Sequence, residues 1–532
     1  MMASYDKFVI TSEMIAIFHR HSIATFSIVT TLVSWLIWRL WRFTIQPLLR
    51  PDEPEELPYS VPFIGHGVAF FRDSNLLLAR AKDQVGQGTE PFALTVFGET
   101  FYVVANAKQS ADVYRDVESL SFDGFVQSLM KKNGSDEKTI NSIFAPLSKE
   151  KSGFPNPDGL SLGALAGKMH TQQLHPGPNM MNLQRVGADW INSRLRLDAL
   201  AKDCSYAITS PGRIEVPLYH WTSDYFVRLG QHVYFGDPLH QIDPDYSSAF
   251  IVFDEVIWKM LYQYPDIFCR DMTRPRDQML ESMKRYFQIP KGQRQDHAAW
   301  IVNAMEDEMR ACGMDDKNVA IMVFHLYLGL NTNARKTSFW LLTHLMHHPK
   351  YLEAFRTETA PAFRGDELVD LNYIQDPTKC PTVDAVWNET LRLAGWAASV
   401  RRVARDTVIG GKRLRTGNRV MVAHRLLHFD DAIFGMDVTA WRPERWLEAR
   451  GSKLQQSQSW RPFGGGKTKC SGRFLARYFV TSFTAALLRR FDIQAVGNLP
   501  TPEPDVGRPV LGIISVKEGQ DYSVSLTPRG RT

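Results

Sequence analysis

Residues 462–476 read PFGGGKTKCSGRFLA, and an apolar stretch suited to a helix continues to about Leu488. A cysteine just before a helix start meets the positive end of the helix dipole and several unpaired backbone N–H groups. Both favour the thiolate, which is the form of cysteine that binds a metal. Glycines 464–466 let the backbone pass close to a flat ligand. The stretch therefore predicts that Cys470 is a metal ligand beside such a group.

Two neighbours of this cysteine support the same interpretation. Phe463 would shield the sulfur from water, and Gly472 lets the chain turn beneath the ligand. Residues 466–468, which read GKT, also look like the end of a phosphate-binding P-loop. That motif needs a glycine at the position of Arg461, and no buried strand precedes it. The P-loop alternative is therefore excluded.

Composition and charge limit the class of protein. Hydrophobic residues make up 44% and charged residues 22% of the 532 residues, as in an ordinary globular protein. The net charge of +5 is small and spread along the chain, so it does not indicate nucleic-acid binding. The five cysteines include no CxxC pair. Their small, odd number fits a reducing compartment and disfavours a disulfide framework or a zinc site.

The N-terminal region carries a membrane signal. Ser22 to Trp38 contains no charged residue, and apolar residues continue past Arg39, so we predict a transmembrane anchor at about residues 22–43. A buried core helix and a cleaved signal peptide are the alternatives. Arginines are more frequent after this span than before it, which predicts a single-pass protein with its body in the cytosol.

We predict three segments along the chain. Residues 1–50 hold the anchor, and residues 51–65 form a proline-rich, semi-rigid spacer. Residues 66–532 contain no second linker or repeat and are expected to form one domain.

Helical patterns dominate that domain. Val319 to His348 reads as one long buried helix that ends before a proline, and Asp384 to Leu393 reads as a shorter one. Strand signals are brief, at residues 94–104 and 407–422. The predicted fold class is therefore mainly α with small β-sheets.

The spacing of Phe463, Gly466, Cys470, Gly472 and Ala476 resembles the haem-binding signature of the cytochrome P450 family. The resemblance implies the P450 fold and a haem b cofactor. Cys470 would be the axial ligand of the haem iron, and Phe463, Gly466 and Gly472 would hold the haem around it.

Three further positions match the family in the expected order. Glu389 and Arg392, three residues apart on one predicted helix, resemble its E-x-x-R pair, and Arg445 resembles the arginine of its P-E-R-F segment. The resemblance implies that these three charges form a buried structural cluster. Arg401 would bind a haem propionate; Arg402 could substitute for it, and a solvated strand edge is the alternative.

Two departures from the family stand out. Thr468 stands two residues before the cysteine, where many members have arginine or histidine. In the long helix, Thr332 and Asn333 stand where members have the acid and the threonine that relay protons. Asn333, followed by Phe339-Trp340, resembles the branch with sterol 7α-hydroxylases and prostacyclin synthase. An asparagine amide can orient water or a ligand oxygen, although it would also serve merely to cap a backbone bulge.

The resemblance implies a monooxygenase that oxidises a lipophilic small molecule, such as a sterol, terpenoid or other secondary-metabolite scaffold, with O2. The sequence has no flavin or nicotinamide signature, so electrons from NADPH would come through NADPH-cytochrome P450 reductase on the same endoplasmic reticulum membrane. Cytochrome b5 is a second candidate partner. The alternatives are an isomerase or dehydratase acting on a peroxide without reductase, and a non-catalytic haem-binding protein.

Overall fold

A computed structural model describes residues 25–85, 89–147, 154–448 and 451–530. Helices form most of it, in agreement with the predicted fold class. The α-helices are α1 (25–40), α2 (Gln46–Leu49), α3 (Gly67–Gln84), α4 (Ala107–Arg115), α5 (Asp123–Lys132), α6 (Glu137–Phe144), α7 (Leu162–Leu174), α8 (Pro178–Arg194), α9 (Leu197–Asp203), α10 (Leu218–Ile242), α11 (Tyr246–Val256), α12 (Trp258–Leu261), α13 (Arg270–Gln288), α14 (Trp300–Ala311), α15 (Asp316–Asn331), α16 (Ala334–His347), α17 (Pro349–Thr359), α18 (Pro381–Ala394), α19 (His424–His428), α20 (Asp431–Phe434), α21 (Glu444–Leu447), α22 (Gly451–Gln456) and α23 (Arg473–Arg490).

The strands are short. They are β1 (Glu55–Glu56), β2 (Phe92–Val96), β3 (Glu99–Val104), β4 (Leu120–Ser121), β5 (Ile208–Ser210), β6 (Arg213–Pro217), β7 (Phe363–Arg364), β8 (Glu367–Leu368), β9 (Ala398–Val403), β10 (Thr407–Ile409), β11 (Lys412–Leu414), β12 (Arg419–Ala423), β13 (Phe491–Ala495) and β14 (Ser523–Pro528).

The largest sheet among the described residues has six strands in the order β1-β2-β3-β12-β9-β4. A four-stranded sheet has the order β13-β14-β6-β5, and β10 with β11 and β7 with β8 form two hairpins. Both predicted strand regions, 94–104 and 407–422, fall within these sheets. The predicted spacer also takes part, because β1 pairs in parallel with β2 through Glu55 and Phe92.

A large apolar core lies among the helices. Its members include Trp221 and Val227 on α10, Phe339 on α16 and Phe483 on α23, each 0% exposed. A second and a third apolar cluster cover the two faces of the six-stranded sheet. Burial of this apolar surface holds α10, α15, α16 and α23 together, and these helices carry much of the candidate site.

The predicted single helix from Val319 to His348 is wrong in one respect. Helix α15 ends at Asn331 and α16 begins at Ala334, so the helix is interrupted at Thr332 and Asn333. Both residues make side-chain bonds to other elements: Thr332 Oγ1 donates to Asp254 Oδ1 at 2.7 Å, and Asn333 Oδ1 accepts from the backbone of Ile513 at 2.9 Å. The prediction of a helix at 384–393 is confirmed by α18.

The N-terminal helix packs onto the body. Trp35 Nε1 donates to the carbonyl of Ser60 at 2.6 Å, and Arg42 Nε pairs with Glu56 at 2.7 Å. After α1, a π-helical turn at Trp41–Ile45 leads into α2. Residues 22–24 of the predicted anchor lie outside the described residues. Within the residues described, no helix combines the length and apolar character needed to cross a membrane.

Candidate active site

Cys470 lies in a loop that leads into α23. Its backbone N–H donates to the carbonyl of Phe463 at 3.0 Å, which closes the loop over residues 463–470. Arg473 NH1 donates to the Cys470 carbonyl at 2.8 Å. Burial raises the pKa of the Cys470 thiol, whereas the backbone N–H of Gly472 and the charge of Arg473 act in the opposite direction. The groups at the start of α23 therefore reduce the effect of burial without outweighing it, and the pKa of the free thiol stays raised.

The thiol opens into a cavity of about 280 Å³. Cys470 is exposed and lines this cavity. The walls are mostly apolar and come from the central helices and the loops beside them. The apolar lining residues are Leu174, Phe226, Leu330, Ala334, Trp387, Leu391, Ala397, Ala398, Pro462, Phe463, Leu475, Ala476, Phe479, Leu511 and Ile513. Such a chamber suits a flat, largely apolar ligand.

The glycines before the cysteine lie against Tyr114 of α4. Gly466 has φ +60°, and a Cβ there would stand 2.5 Å from the Tyr114 carbonyl oxygen. A Cβ on Gly465 would stand 2.7 Å from the tyrosine ring. Gly472 lies close to the cysteine, with a Cβ position 3.8 Å from its sulfur. Glycine at 465 and 466 therefore allows a close approach that other residues would prevent.

Two arginines near this loop have no acidic partner among the described residues. Arg401 on β9 is 6% exposed and donates to Thr468 Oγ1. Arg461 lies 5.5 Å from the Tyr114 ring centre. Burial lowers the pKa of both guanidinium groups, with partial compensation by Tyr114. Arg402, the neighbouring candidate, is exposed. A buried cation without a carboxylate partner indicates a place for an anionic group.

A polar triad occupies the same side of the cavity. The Tyr114 hydroxyl donates to Ser399 Oγ at 2.8 Å and lies 2.8 Å from His424 Nε2. Burial, with the charges of Arg461 and Arg401, lowers the pKa of His424 to about 4. This histidine is therefore neutral at pH 7. Because the tyrosine has a single O–H, which donates to Ser399, the contact at Nε2 requires the tautomer whose Nε2–H donates to the tyrosine oxygen.

The cluster of Glu389, Arg392 and Arg445 lies behind the site. All three side chains are 0% exposed, and Glu389 pairs with Arg392 at 2.8 Å and with Arg445 at 3.0 Å. Trp446 Nε1 donates to the second Glu389 oxygen at 2.8 Å. A phenylalanine, which the family's P-E-R-F segment has at that position, could not make this bond. These residues line no part of the cavity and hold α18 to the segment around α21.

The interrupted helix forms another wall. Asn333 lines the cavity, and its neighbour Thr332 does not. The Thr332 hydroxyl is directed to Asp254, which pairs with Lys336 at 3.0 Å and also with Arg335. Of the two candidate catalytic residues, only Asn333 therefore presents its side chain to the cavity.

This arrangement fits a haem. It combines a thiol facing the cavity, apolar walls, glycines that permit close approach and cations suited to two carboxylates. Cys470 would hold the iron, and Arg401 and Arg461 would face the propionates. When bound, a thiolate-ligated haem supplies oxygen activation, while the protein positions the substrate and controls water.

The sequence model of the family described as Cytochrome P450 matches residues 228–516, more than half of the chain. The chain belongs to the cytochrome P450 family. Among curated proteins, the P450 is 23% identical over 475 residues to cytochrome P450 monooxygenase poxD of Penicillium oxalicum, covering 86% of this chain and 90% of that protein. These similarities identify an oxidoreductase of the P450 monooxygenase class.

Other relatives match over a shorter region. A self-sufficient cytochrome P450 monooxygenase of Oidiodendron maius is 29% identical over 238 residues, or 44% of this chain and 21% of that protein. One of Penicillium camemberti is 35% identical over 194 residues, or 36% of this chain and 18% of that protein. The P450 thus spans about a fifth of these longer relatives.

Several site residues of this P450 were not predicted from the sequence. Tyr114, Ser399 and His424 meet from three separate elements and carry no local motif. Gly512 lies in a C-terminal loop without a readable pattern. Arg461 immediately precedes the haem-binding segment. Of these residues, it is the one whose place in the sequence could have indicated a role in the site.

Proposed function

We propose that this P450 is a monooxygenase of the endoplasmic reticulum membrane that oxidises a lipophilic small molecule, such as a sterol, terpenoid or other secondary-metabolite scaffold. Haem b would occupy the body at residues 66–532. O2 and electrons from NADPH, passed through NADPH-cytochrome P450 reductase with cytochrome b5 as a second donor, would complete the reaction.

The observation that carries this proposal is the Cys470 thiol opening into a mostly apolar cavity. The cavity polar groups belong to a few residues, including Asn333, Ser399, His424 and Thr468. A wall of this kind favours an apolar substrate, because apolar surface is stabilised by leaving water. The few polar groups then select its orientation.

The second candidate is a rearrangement of a peroxide without reductase. Asn333 favours it, because an amide in place of the family's threonine offers no hydroxyl for a proton relay. This alternative keeps the same haem site and differs only in whether external electrons and O2 are consumed.

One experiment separates the two reactions. The purified holoprotein is incubated with candidate sterols and terpenoids, ¹⁸O-labelled dioxygen, reductase and NADPH, and products are analysed by mass spectrometry. The monooxygenase predicts label in the product and no product without reductase. Turnover of an organic peroxide without NADPH would instead establish the rearrangement. Loss of the carbon monoxide difference band in Cys470→Ala, with the wild-type band present, tests the ligand assignment.

We also propose that residues 22–43 anchor the protein in the membrane, with the body in the cytosol. Exposed apolar side chains on α1 support this: Phe26, Ile28, Val29, Leu32, Val33, Leu36 and Ile37. Deletion of residues 1–43 should release the protein from membranes into the soluble fraction, whereas the full chain should resist alkaline carbonate extraction. A truncated protein that stays in the carbonate-resistant pellet would contradict the anchor.

A further inference from the structure

The contact between Asn333 and Ile513 determines the orientation of the asparagine amide. The Ile513 backbone N–H donates to Asn333 Oδ1 at 2.9 Å. An amide oxygen and nitrogen look alike in shape, and they are distinguished by their hydrogen-bond partners. Because a backbone N–H can only donate, the oxygen must face Ile513. The Nδ2 group, with its two N–H bonds, is then left for the cavity.

Nothing in the described part of the chain competes for that nitrogen. Asn333 Oδ1 makes the only side-chain hydrogen bond of this residue there, and Asn333 lines the cavity that contains Cys470. Its neighbour Thr332 is turned toward Asp254. At the helix interruption, a ligand in the cavity therefore meets the N–H donors of Asn333. It does not meet a hydroxyl, which could both donate and accept a hydrogen bond.

Gly512 makes this orientation possible. A Cβ at Gly512 would stand 2.0 Å from Asn333 Oδ1 and 2.7 Å from Cγ, so the amide lies flat against the glycine backbone. Any side chain there would displace the amide. The specific need for glycine at 512 thus arises from the asparagine, 179 residues earlier in the chain.

The loop that carries Gly512 is itself held firmly by other elements. The Gly512 carbonyl accepts from Trp396 N at 3.0 Å, and Ile514 N donates to the Ala394 carbonyl at 2.9 Å. Trp340 Nε1 donates to the Ile514 carbonyl at 2.8 Å. These bonds tie the loop to the end of α18 and to α16, and so they fix the donor to Asn333.

We propose that Asn333 acts as a fixed hydrogen-bond donor to an acceptor oxygen in the cavity, and that Gly512 and Ile513 are positioning residues that hold its amide in this orientation. The proposal rests on the proposed haem-thiolate function and deepens it. Asn333 interacts with a ligand oxygen but does not relay protons, since an amide nitrogen has no lone pair available to accept one.

Carbon monoxide is a suitable probe, because a nearby N–H donor lowers its stretching frequency when it is bound to ferrous haem. The infrared C–O band of the holoprotein is compared with those of Asn333→Leu, Asn333→Asp and Gly512→Ala. Asn333→Asp retains an acceptor for Ile513 but has no N–H at pH 7. We expect the band to move to higher frequency in all three variants. Gly292→Ala is the control, because a Cβ there has nothing within 4 Å.

An unchanged band in Asn333→Leu, or in Gly512→Ala, would overturn the proposal. A shift equally large in Gly292→Ala would also overturn it, since the effect would then not depend on the amide. The visible carbon monoxide spectrum separates a failure of the proposed function from a failure of the role given to Asn333. If the wild type lacks the thiolate-type band, the proposed function is wrong. If that band is present and the infrared C–O frequency is the same in the wild type and in Asn333→Leu, only the role of Asn333 is wrong.

Discussion

Arg401 is the residue on which the fit of a haem most directly depends. Its guanidinium is buried, donates to Thr468 and the Val400 carbonyl, and packs 5.0 Å from the Phe122 ring centre. Thr468, which lines the cavity, occupies the place where many members of the family have a cation. Arg401 donates to Thr468 from behind this wall, and Arg461 is the second cation beside the loop. Such a buried charge is unfavourable until an anion joins it.

Replacement of Arg401 by glutamine should accelerate haem loss about 10- to 100-fold, because a hydrogen bond to a charged group contributes roughly 1.5–3 kcal/mol. Transfer of haem to an excess of apomyoglobin measures the rate. Arg402→Gln is the matched control on the same strand, since Arg402 is exposed. Equal rates for the two variants would contradict the assignment of Arg401.

His344 is a second single residue with a testable effect, because it should make the free energy of unfolding depend on pH. Burial, assisted by the charges of His348 and His347, lowers its pKa from 6.5 to about 3. The folded state therefore binds fewer protons than the unfolded state between pH 6.5 and 3, and the free energy of unfolding should decrease as the pH falls through that window. At about 1.4 kcal/mol per pKa unit, the loss is at most about 5 kcal/mol.

His344→Phe tests this histidine alone. The histidine ring stacks on Trp441 with centres 5.1 Å apart, and phenylalanine preserves that stacking. Denaturant unfolding between pH 7 and 4.5 should show a shallower loss of stability in the variant than in the wild type. Parallel curves would mean that His344 does not contribute to the pH dependence.

At the scale of elements, the Glu389 cluster joins α18 to α21. Glu389→Gln should lower the free energy of unfolding by about 3–5 kcal/mol, because it leaves the buried Arg392 without its counter-charge and leaves Arg445 with only the more exposed Asp437. Asp112→Asn is the control: its pair with Arg115 is largely exposed, with side-chain accessibilities of 35% and 75%, and should contribute less than about 1 kcal/mol. Similar losses in urea unfolding for both variants would contradict the structural role of the cluster.

The loop before Cys470 allows a comparison between a glycine of the site and a glycine elsewhere in the chain. Gly466 and Gly411 both have positive φ, +60° and +80°, but only at Gly466 would a Cβ meet backbone atoms. Each alanine variant should lose roughly 1–2 kcal/mol from backbone conformation. Gly466→Ala should additionally reduce haem content, measured by the pyridine haemochrome assay. Full haem occupancy in Gly466→Ala would show that this close approach is not needed.

The sequence predicts elements whose determinants are local. The haem-binding loop and the E-x-x-R helix each lie within a few residues of their own signals, and the structure places both as expected. The interruption at Thr332 and Asn333 could not be predicted, since its side-chain partners are 78 and 180 residues away. The triad of Tyr114, Ser399 and His424 escapes prediction for the same reason, with separations of 285 and 310 residues.

At the scale of the whole molecule, haem should stabilise the chain unevenly. Several residues of the 462–472 loop, together with Asn333 between α15 and α16, line the cavity, whereas the sheet of β5, β6, β13 and β14 does not. Because a ligand protects the conformations that it binds, hydrogen–deuterium exchange should slow at the cavity lining on adding haem to the apoprotein. The four-stranded sheet is the internal reference; equal slowing there would indicate global stabilisation instead.

The attachment of α1 to the body has a consequence for electron delivery. Arg42 pairs with Glu56, Arg39 donates to the Tyr59 carbonyl at 2.8 Å, and Trp38, Phe43 and Tyr59 pack ring against ring. These contacts join both the end of α1 and the π-helical turn after it to the body, so α1 is not a flexible tether. With that helix in a bilayer as proposed, the body keeps one tilt and turns only about the membrane normal. To dock on the body, a reductase diffusing in the same membrane then has to match only the rotation of the body about the membrane normal, rather than three orientation angles.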